Sequence, residues 1–120
     1  MLVEDNDVFR EALELVLGLR DDIDVVASVG DGSEAAAACA RLHPDVCLMD
    51  YRMPGLDGVQ ATSAVRAASP STAIVCLTAA ADPHEQEALI EAGAVACLSK
   101  NEDFDTIVAA IYEAAGREYR

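Results

Sequence analysis

The sequence predicts an α/β protein: one domain in which five parallel strands alternate with five helices that cover both faces of a doubly wound sheet. Three observations carry this. Short apolar runs recur at 1–3, 24–29, 46–50, 73–77 and 95–99, separated by segments whose apolar residues repeat at helical spacing. Turn and capping residues bound these runs, with Gly30-Asp31-Gly32, Pro54-Gly55, Ser69-Pro70 and Gly93 the clearest breaks. The chain has 120 residues, the size of a single core.

Met1–Val3 is a stub of a first strand, shorter than the usual 5 to 6 residues, and raises the expectation of a trimmed or misassigned start. Glu4-Asp5-Asn6-Asp7 opens the first helix, with Asn6 or Asp7 as N-cap and Phe9, Leu13, Val16 and Leu17 on its inward face. Asp24–Val29 reads as the second strand, and Ser33 is the expected cap of an Ala-rich helix running toward Leu42. Val46–Asp50 is the third strand and ends on an aspartate. Val59–Ala68 follows as a helix closed by Ser69-Pro70. Ala73–Leu77 is the fourth strand, Pro83–Ala92 a helix stopped by Gly93, and Val95–Ser99 the fifth strand. In the last helix Phe104, Ile107, Val108, Ile111 and Ala115 share a face, and Gly116 ends it.

The handed crossover rule leaves few arrangements of such a chain, and at this size the expected one is flavodoxin-like, with strand order 2-1-3-4-5. Strands one and three are then neighbours, so Glu4, Asp5 and Asp50 converge at the switch point, on the strand edge where open α/β sheets bind ligands. Thr78 and Lys100, after the fourth and fifth strands, join them.

Composition excludes several classes. The net charge of −14, with eight scattered basic residues, argues against direct nucleic-acid contact. No apolar stretch nears the roughly 20 residues of a membrane helix, and no signal peptide precedes the first strand, so the expected location is the cytoplasm. Cys39, Cys47, Cys76 and Cys97 lack CxxC spacing and a nearby His pair, which disfavours zinc. Three of them lie within apolar strand runs, where a free thiol behaves as a small hydrophobe, and a structural role is favoured over a redox or metal one.

Three crowded carboxylates repel one another, each close pair by up to about 4 kcal/mol at an effective dielectric of 20. Such a cluster either holds a proton or recruits a cation, and Mg2+ suits it because that ion takes one or two carboxylates and fills its other positions with water and phosphate oxygens. The expected ligands are Asp5, Asp50 and a main-chain carbonyl near Arg52, with Glu4 bound directly or through water. Lys100 is the only lysine among the eight basic residues. Its compact ammonium can pair with a carboxylate and then with a phosphoryl oxygen, although a salt bridge that only relieves repulsion is the alternative. Asp50 as nucleophile, Lys100 as oxyanion partner and the Thr78 hydroxyl as donor make a phosphoryl-accepting set.

These residues closely resemble the receiver domain of two-component response regulators, most of all the NarL/FixJ (LuxR-type) subfamily. The resemblance spans the chain: Glu4-Asp5, Met49-Asp50-Tyr-Arg-Met-Pro-Gly-Leu-Asp-Gly58, Thr78-Ala79 and Lys100. It implies a bacterial signalling protein, not an enzyme, in which Asp50 takes a phosphoryl group from a histidine kinase with Mg2+. It further implies a shift of the face formed by the fourth helix, fifth strand and fifth helix, and homodimerisation biased by phosphorylation. On the subfamily pattern residues 1–115 are the receiver and 116–120 begin a linker to a helix-turn-helix DNA-binding domain. Arg52 and Ala80 occupy positions that in the family influence phosphoryl lifetime.

Two positions depart from the family. Its members usually place Tyr or Phe three residues before the lysine, as a ring that moves on phosphorylation together with the threonine; here that switch position, paired with Thr78, is Cys97, and Asn101 follows Lys100 where a proline often stands, a lack many NarL-like members share. A thiol has no ring to swing, so a constitutive, phosphorylation-insensitive interaction module is the alternative reading. A third class, an aspartyl-phosphate hydrolase of the haloacid dehalogenase type, would carry a second Asp two residues after the nucleophile, where this chain has Arg52.

Overall fold

The computed structural model describes residues 1–52, 56–79 and 82–116. Strands and helices alternate as β1 (Leu2–Val3), α1 (Asp7–Gly18), β2 (Ser28–Val29), α2 (Gly32–Leu42), β3 (Val46–Asp50), α3 (Gly58–Ala68), β4 (Ala73–Thr78), α4 (Pro83–Ala92), β5 (Ala96–Ser99) and α5 (Phe104–Ala114). The strands form one parallel sheet in the order β2-β1-β3-β4-β5, as the alternation predicts.

Side chains alternate across the sheet with the period of two that a pleated strand imposes. Val3, Cys47, Met49, Ile74 and Cys76 face one layer with Cys39 of α2, Val65 of α3 and Leu89 of α4. Leu2, Leu48, Val75 and Leu77 face the other with Leu13 and Leu17 of α1 and Ile107, Val108 and Tyr112 of α5. Both faces being covered, the strands read as continuous apolar runs.

Helix starts follow from side-chain caps. Asn6 caps α1 by accepting from Phe9 N at 3.0 Å, and Asp57 with Gln60 closes a reciprocal capping box on α3. Asp82 and Asp103 cap α4 and α5. At α2 the cap is Asp31 and not Ser33: Asp31 Oδ1 accepts from both the amide and the hydroxyl of Ser33 at 2.9 Å, so the helix starts at Gly32 and the serine is a donor to the cap. Gly93, at φ +124°, ends α4 as expected.

Two further expectations are corrected. Of the stretch Asp24–Val29 only Ser28–Val29 is strand, because its neighbour β1 offers two residues; Leu2 N donates to Ala27 O at 3.0 Å, and among the described residues no strand pairing precedes that. On α5 the inward face is Ile107, Val108 and Tyr112, whose hydroxyl donates to Asp22. Phe104 is 36% exposed and lies against Phe9 of α1 with ring centroids 6.3 Å apart, and Ala115 is the exposed C-cap.

Candidate functional site

Each site residue stands at or just beyond the end of its strand, and a cross-strand hydrogen bond pins the backbone there. Glu4 N donates to Val29 O at 3.0 Å, Tyr51 N to Leu77 O at 2.9 Å and Lys100 N to Thr78 O at 2.9 Å. The parallel register puts Val3 beside Met49, Asp50 beside Leu77 and Thr78 beside Ser99. Glu4, Asp50, Thr78 and Lys100 therefore emerge side by side at one edge. Gly58 lets the loop after Asp50 fold back: its amide donates to Tyr51 O at 2.7 Å, and a Cβ there would lie 2.7 Å from Tyr51 Cα.

Carboxylate oxygens of Glu4, Asp5 and Asp50 come within 4.8 Å of one another. Glu4 and Asp50 are buried, at 2% and 4% exposure, whereas Asp5 is exposed. The Lys100 ammonium bridges the two buried groups, 2.7 Å from Glu4 Oε1 and 3.2 Å from Asp50 Oδ2. Glu4 Oε2 accepts from Asn6 N at 3.1 Å.

One cation does not balance this cluster. Burial, with the adjacent Glu4 carboxylate, pushes Asp50 from an ordinary 3.8 up to about 7 against the opposing pull of Lys100. Lys100 itself is held above its ordinary value: burial works against its charge, but Glu4 and Asp50 outweigh that. All three acidic groups offer hard oxygen donors with a surplus of negative charge, and this fits a small divalent cation such as Mg2+.

The structure brings together Glu4, Asp5, Asp50 and Lys100, with Thr78 buried on the adjoining strand. The Arg52 side chain turns away to α4, 3.8 Å from Glu85 Oε1, and is largely exposed. Cys97 is partly exposed and lies opposite Cys76, its Sγ 3.9 Å from Gln86 O of α4. Ala80 and residues 117–120 fall outside the described residues. Two residues near the site were missed. Phe9, read as a core residue, places its ring 5.0 Å from the Lys100 ammonium, within cation–π range. Arg10 donates to the Glu4 main-chain oxygen at 2.7 Å while pairing with Asp7 at 2.6 Å. Helical spacing placed Phe9 inward, but no signal in the sequence tied either residue to the lysine or the acid.

Comparison with known proteins agrees with this geometry. The family model described as response regulator receiver domain matches residues 1–112. The transcriptional regulatory protein LnrK of Bacillus subtilis is 37% identical over 111 residues, 92% of this chain and 50% of that protein. The signal receiver domain of the response regulator NarL from Mycobacterium tuberculosis superimposes with a TM-score of 0.91 at 33% identity, covering 96% of this chain and 93% of that one. The receiver domain of the sensor histidine kinase PA1611 from Pseudomonas aeruginosa, solved with a magnesium ion coordinated in its active-site cleft, is also 33% identical, with a TM-score of 0.81 and 96% and 94% coverage. The chain spans about half the length of the transcriptional regulators it matches. Among the described residues no helix is long and apolar enough to cross a membrane.

Proposed function

Because this chain belongs to the response regulator receiver domain family, we propose that it is a phosphoryl-accepting switch in which Asp50 receives a phosphoryl group from the phosphohistidine of a histidine kinase. The observation that carries the reading is the Lys100 ammonium set between Glu4 and Asp50 at the carboxyl edge of the sheet. An Asp50 carboxylate oxygen attacks phosphorus, the bond to the histidine nitrogen breaks, and an acyl phosphate forms. Lys100 takes one phosphoryl oxygen as a point charge and the Thr78 hydroxyl donates to another. Asp5, Asp50 and the Arg52 main-chain carbonyl would hold Mg2+, with Glu4 direct or through water. When bound, the ion neutralises charge on the transferring group. The PA1611 receiver, with magnesium in its cleft, supports that assignment by analogy.

Residues 1–115 act as the receiver and 116–120 begin a linker to a DNA-binding effector domain. Support comes from relatives about twice as long as this chain that are transcriptional regulators. The output is phosphorylation-biased homodimerisation of a cytoplasmic regulator whose own receiver touches no nucleic acid. Cys97 at the switch position favours a second reading, a module whose partner binding ignores phosphorylation.

Incubation with a small acyl-phosphate donor and Mg2+, followed by intact-mass measurement, tests the chemistry. One phosphoryl adduct is expected, lost in Asp50→Ala; no adduct, or one that survives that substitution, refutes it. Sedimentation of both forms at equal concentration separates the two readings, since identical masses and unchanged partner affinity favour the constitutive module.

A further inference from the structure

The fold sorts the four cysteines into two facing pairs. Cys39 of α2 and Cys47 of β3 are fully buried, and each perturbs the other's titration. Cys76 of β4 and Cys97 of β5 are direct partners in the parallel ladder. Adjacent strands run about 4.8 Å apart, inside the Cα separations of about 4.4–6.8 Å that a disulfide spans. Both side chains join the same apolar layer, against α2, α3 and α4.

The second pair is asymmetric. Cys76 is fully buried, its Sγ 3.6 Å from Thr62 Oγ1, whereas Cys97 is partly exposed. The interaction between the two thiols lowers Cys97 and, with burial, raises Cys76. A solvent-reachable thiol with the greater thiolate character beside a sheltered one is the arrangement of an attacking and a resolving cysteine.

We propose that Cys76 and Cys97 are a redox-responsive pair that closes to a reversible disulfide when a hydroperoxide reaches Cys97. The Cys97 thiolate attacks one peroxide oxygen, the O–O bond breaks, and a sulfenic acid and hydroxide (or alkoxide) form. The Cys76 sulfur then attacks the sulfenic sulfur, and its proton leaves with the displaced oxygen as water. Two thiols lose two electrons in total and the peroxide gains them. The cross-link lies two residues before Thr78 and three before Lys100, so it ties together the strand ends that carry both. In a reducing compartment such a bond is transient and signalling in character. It stands independently of the phosphoacceptor reading.

The test treats the native chain with hydrogen peroxide at near-equimolar ratio, alkylates remaining thiols under denaturing conditions, and maps peptides. Alkylated thiols should fall from four to two, with a Cys76–Cys97 linked peptide that dithiothreitol abolishes. In Cys76→Ser, Cys97 should stop as a sulfenic acid captured by a 1,3-diketone; in Cys97→Ser, all three remaining thiols should stay alkylatable. Four thiols surviving in the wild type, a Cys39–Cys47 link instead, or a Cys97 sulfenic acid that never closes onto Cys76 would each overturn the proposal. The wild-type peptide map decides this even if a variant fails to fold.

Discussion

Asp50→Asn should make the metal-free protein more stable, and increasingly so as pH rises. The folded chain holds the Asp50 proton up to about pH 7, whereas an ordinary carboxylate releases it near 3.8. Between those values the folded state binds more protons than the unfolded one, so stability falls as pH rises from about 4 to about 7. Each pKa unit is worth about 1.4 kcal/mol, so roughly three units give a ceiling of about 4 kcal/mol at pH 8. Asn keeps the shape and cannot ionise, which removes that cost. The substitution should therefore raise the unfolding free energy measured in urea, most at about pH 8, by about 2 kcal/mol or less at pH 5, and by under 1 kcal/mol near pH 4. Added Mg2+ should narrow the gap by stabilising the wild type alone. The reasoning fails if the Asn protein is no more stable than wild type at pH 8, or if its advantage is the same at pH 5.

Three other substitutions probe separate parts of the argument. Lys100→Met removes the cation that holds Asp50 down, so the Asp50 midpoint, read by carbon NMR of its carboxyl, should move above about 7, and phosphoryl uptake should slow on the order of 100-fold, as for loss of one oxyanion donor. Gly58→Ala sets a Cβ 2.7 Å from Tyr51 Cα; backbone must shift, with an expected cost of about 1–3 kcal/mol in urea unfolding and slower uptake at the displaced Asp50. Thr72→Val deletes a buried hydroxyl that donates to Pro44 O at 2.7 Å and meets Ser69 Oγ at 2.7 Å, leaving both partners short and costing about 1–3 kcal/mol without changing uptake.

Much of this was legible because chemistry and topology share a cause. A strand that ends on a polar residue presents it at the sheet edge, and the order 2-1-3-4-5 alone sets Glu4 beside Asp50 and Thr78 near Lys100. Less legible were features that depend on pairing partners or on rotation about a helix axis. Nothing within Asp24–Ala27 says that β1 will offer only two residues to pair with. Tyr112 lies on the border of the helical stripe and its hydroxyl donates to Asp22, 90 residues away in the chain, whereas Phe104 is mid-stripe but in the first turn, at the end of the helix, where it meets Phe9. Phe9 has helical spacing suited to a core position, and only the tertiary placement of Lys100 makes it an aromatic partner for the ammonium.

The position of Lys100 explains why the cluster remains receptive. Its ammonium is 2.7 Å from Glu4 but 3.2 Å from Asp50, so its hydrogen bond to Glu4 is the shorter and stronger of the two. Asp50 is nearly completely buried beside the Glu4 carboxylate, which the weaker contact with Lys100 does not offset, and its rise to about 7 is the result. Were the lysine centred on Asp50, the nucleophile would be neutralised by the protein itself and would gain little from a divalent ion or an incoming phosphoryl group held by one. Displaced toward Glu4, the lysine leaves Asp50 short of positive charge. A bound divalent cation therefore acts on the residue with most to gain from it, and the phosphoryl oxygens that follow meet an ammonium already within reach.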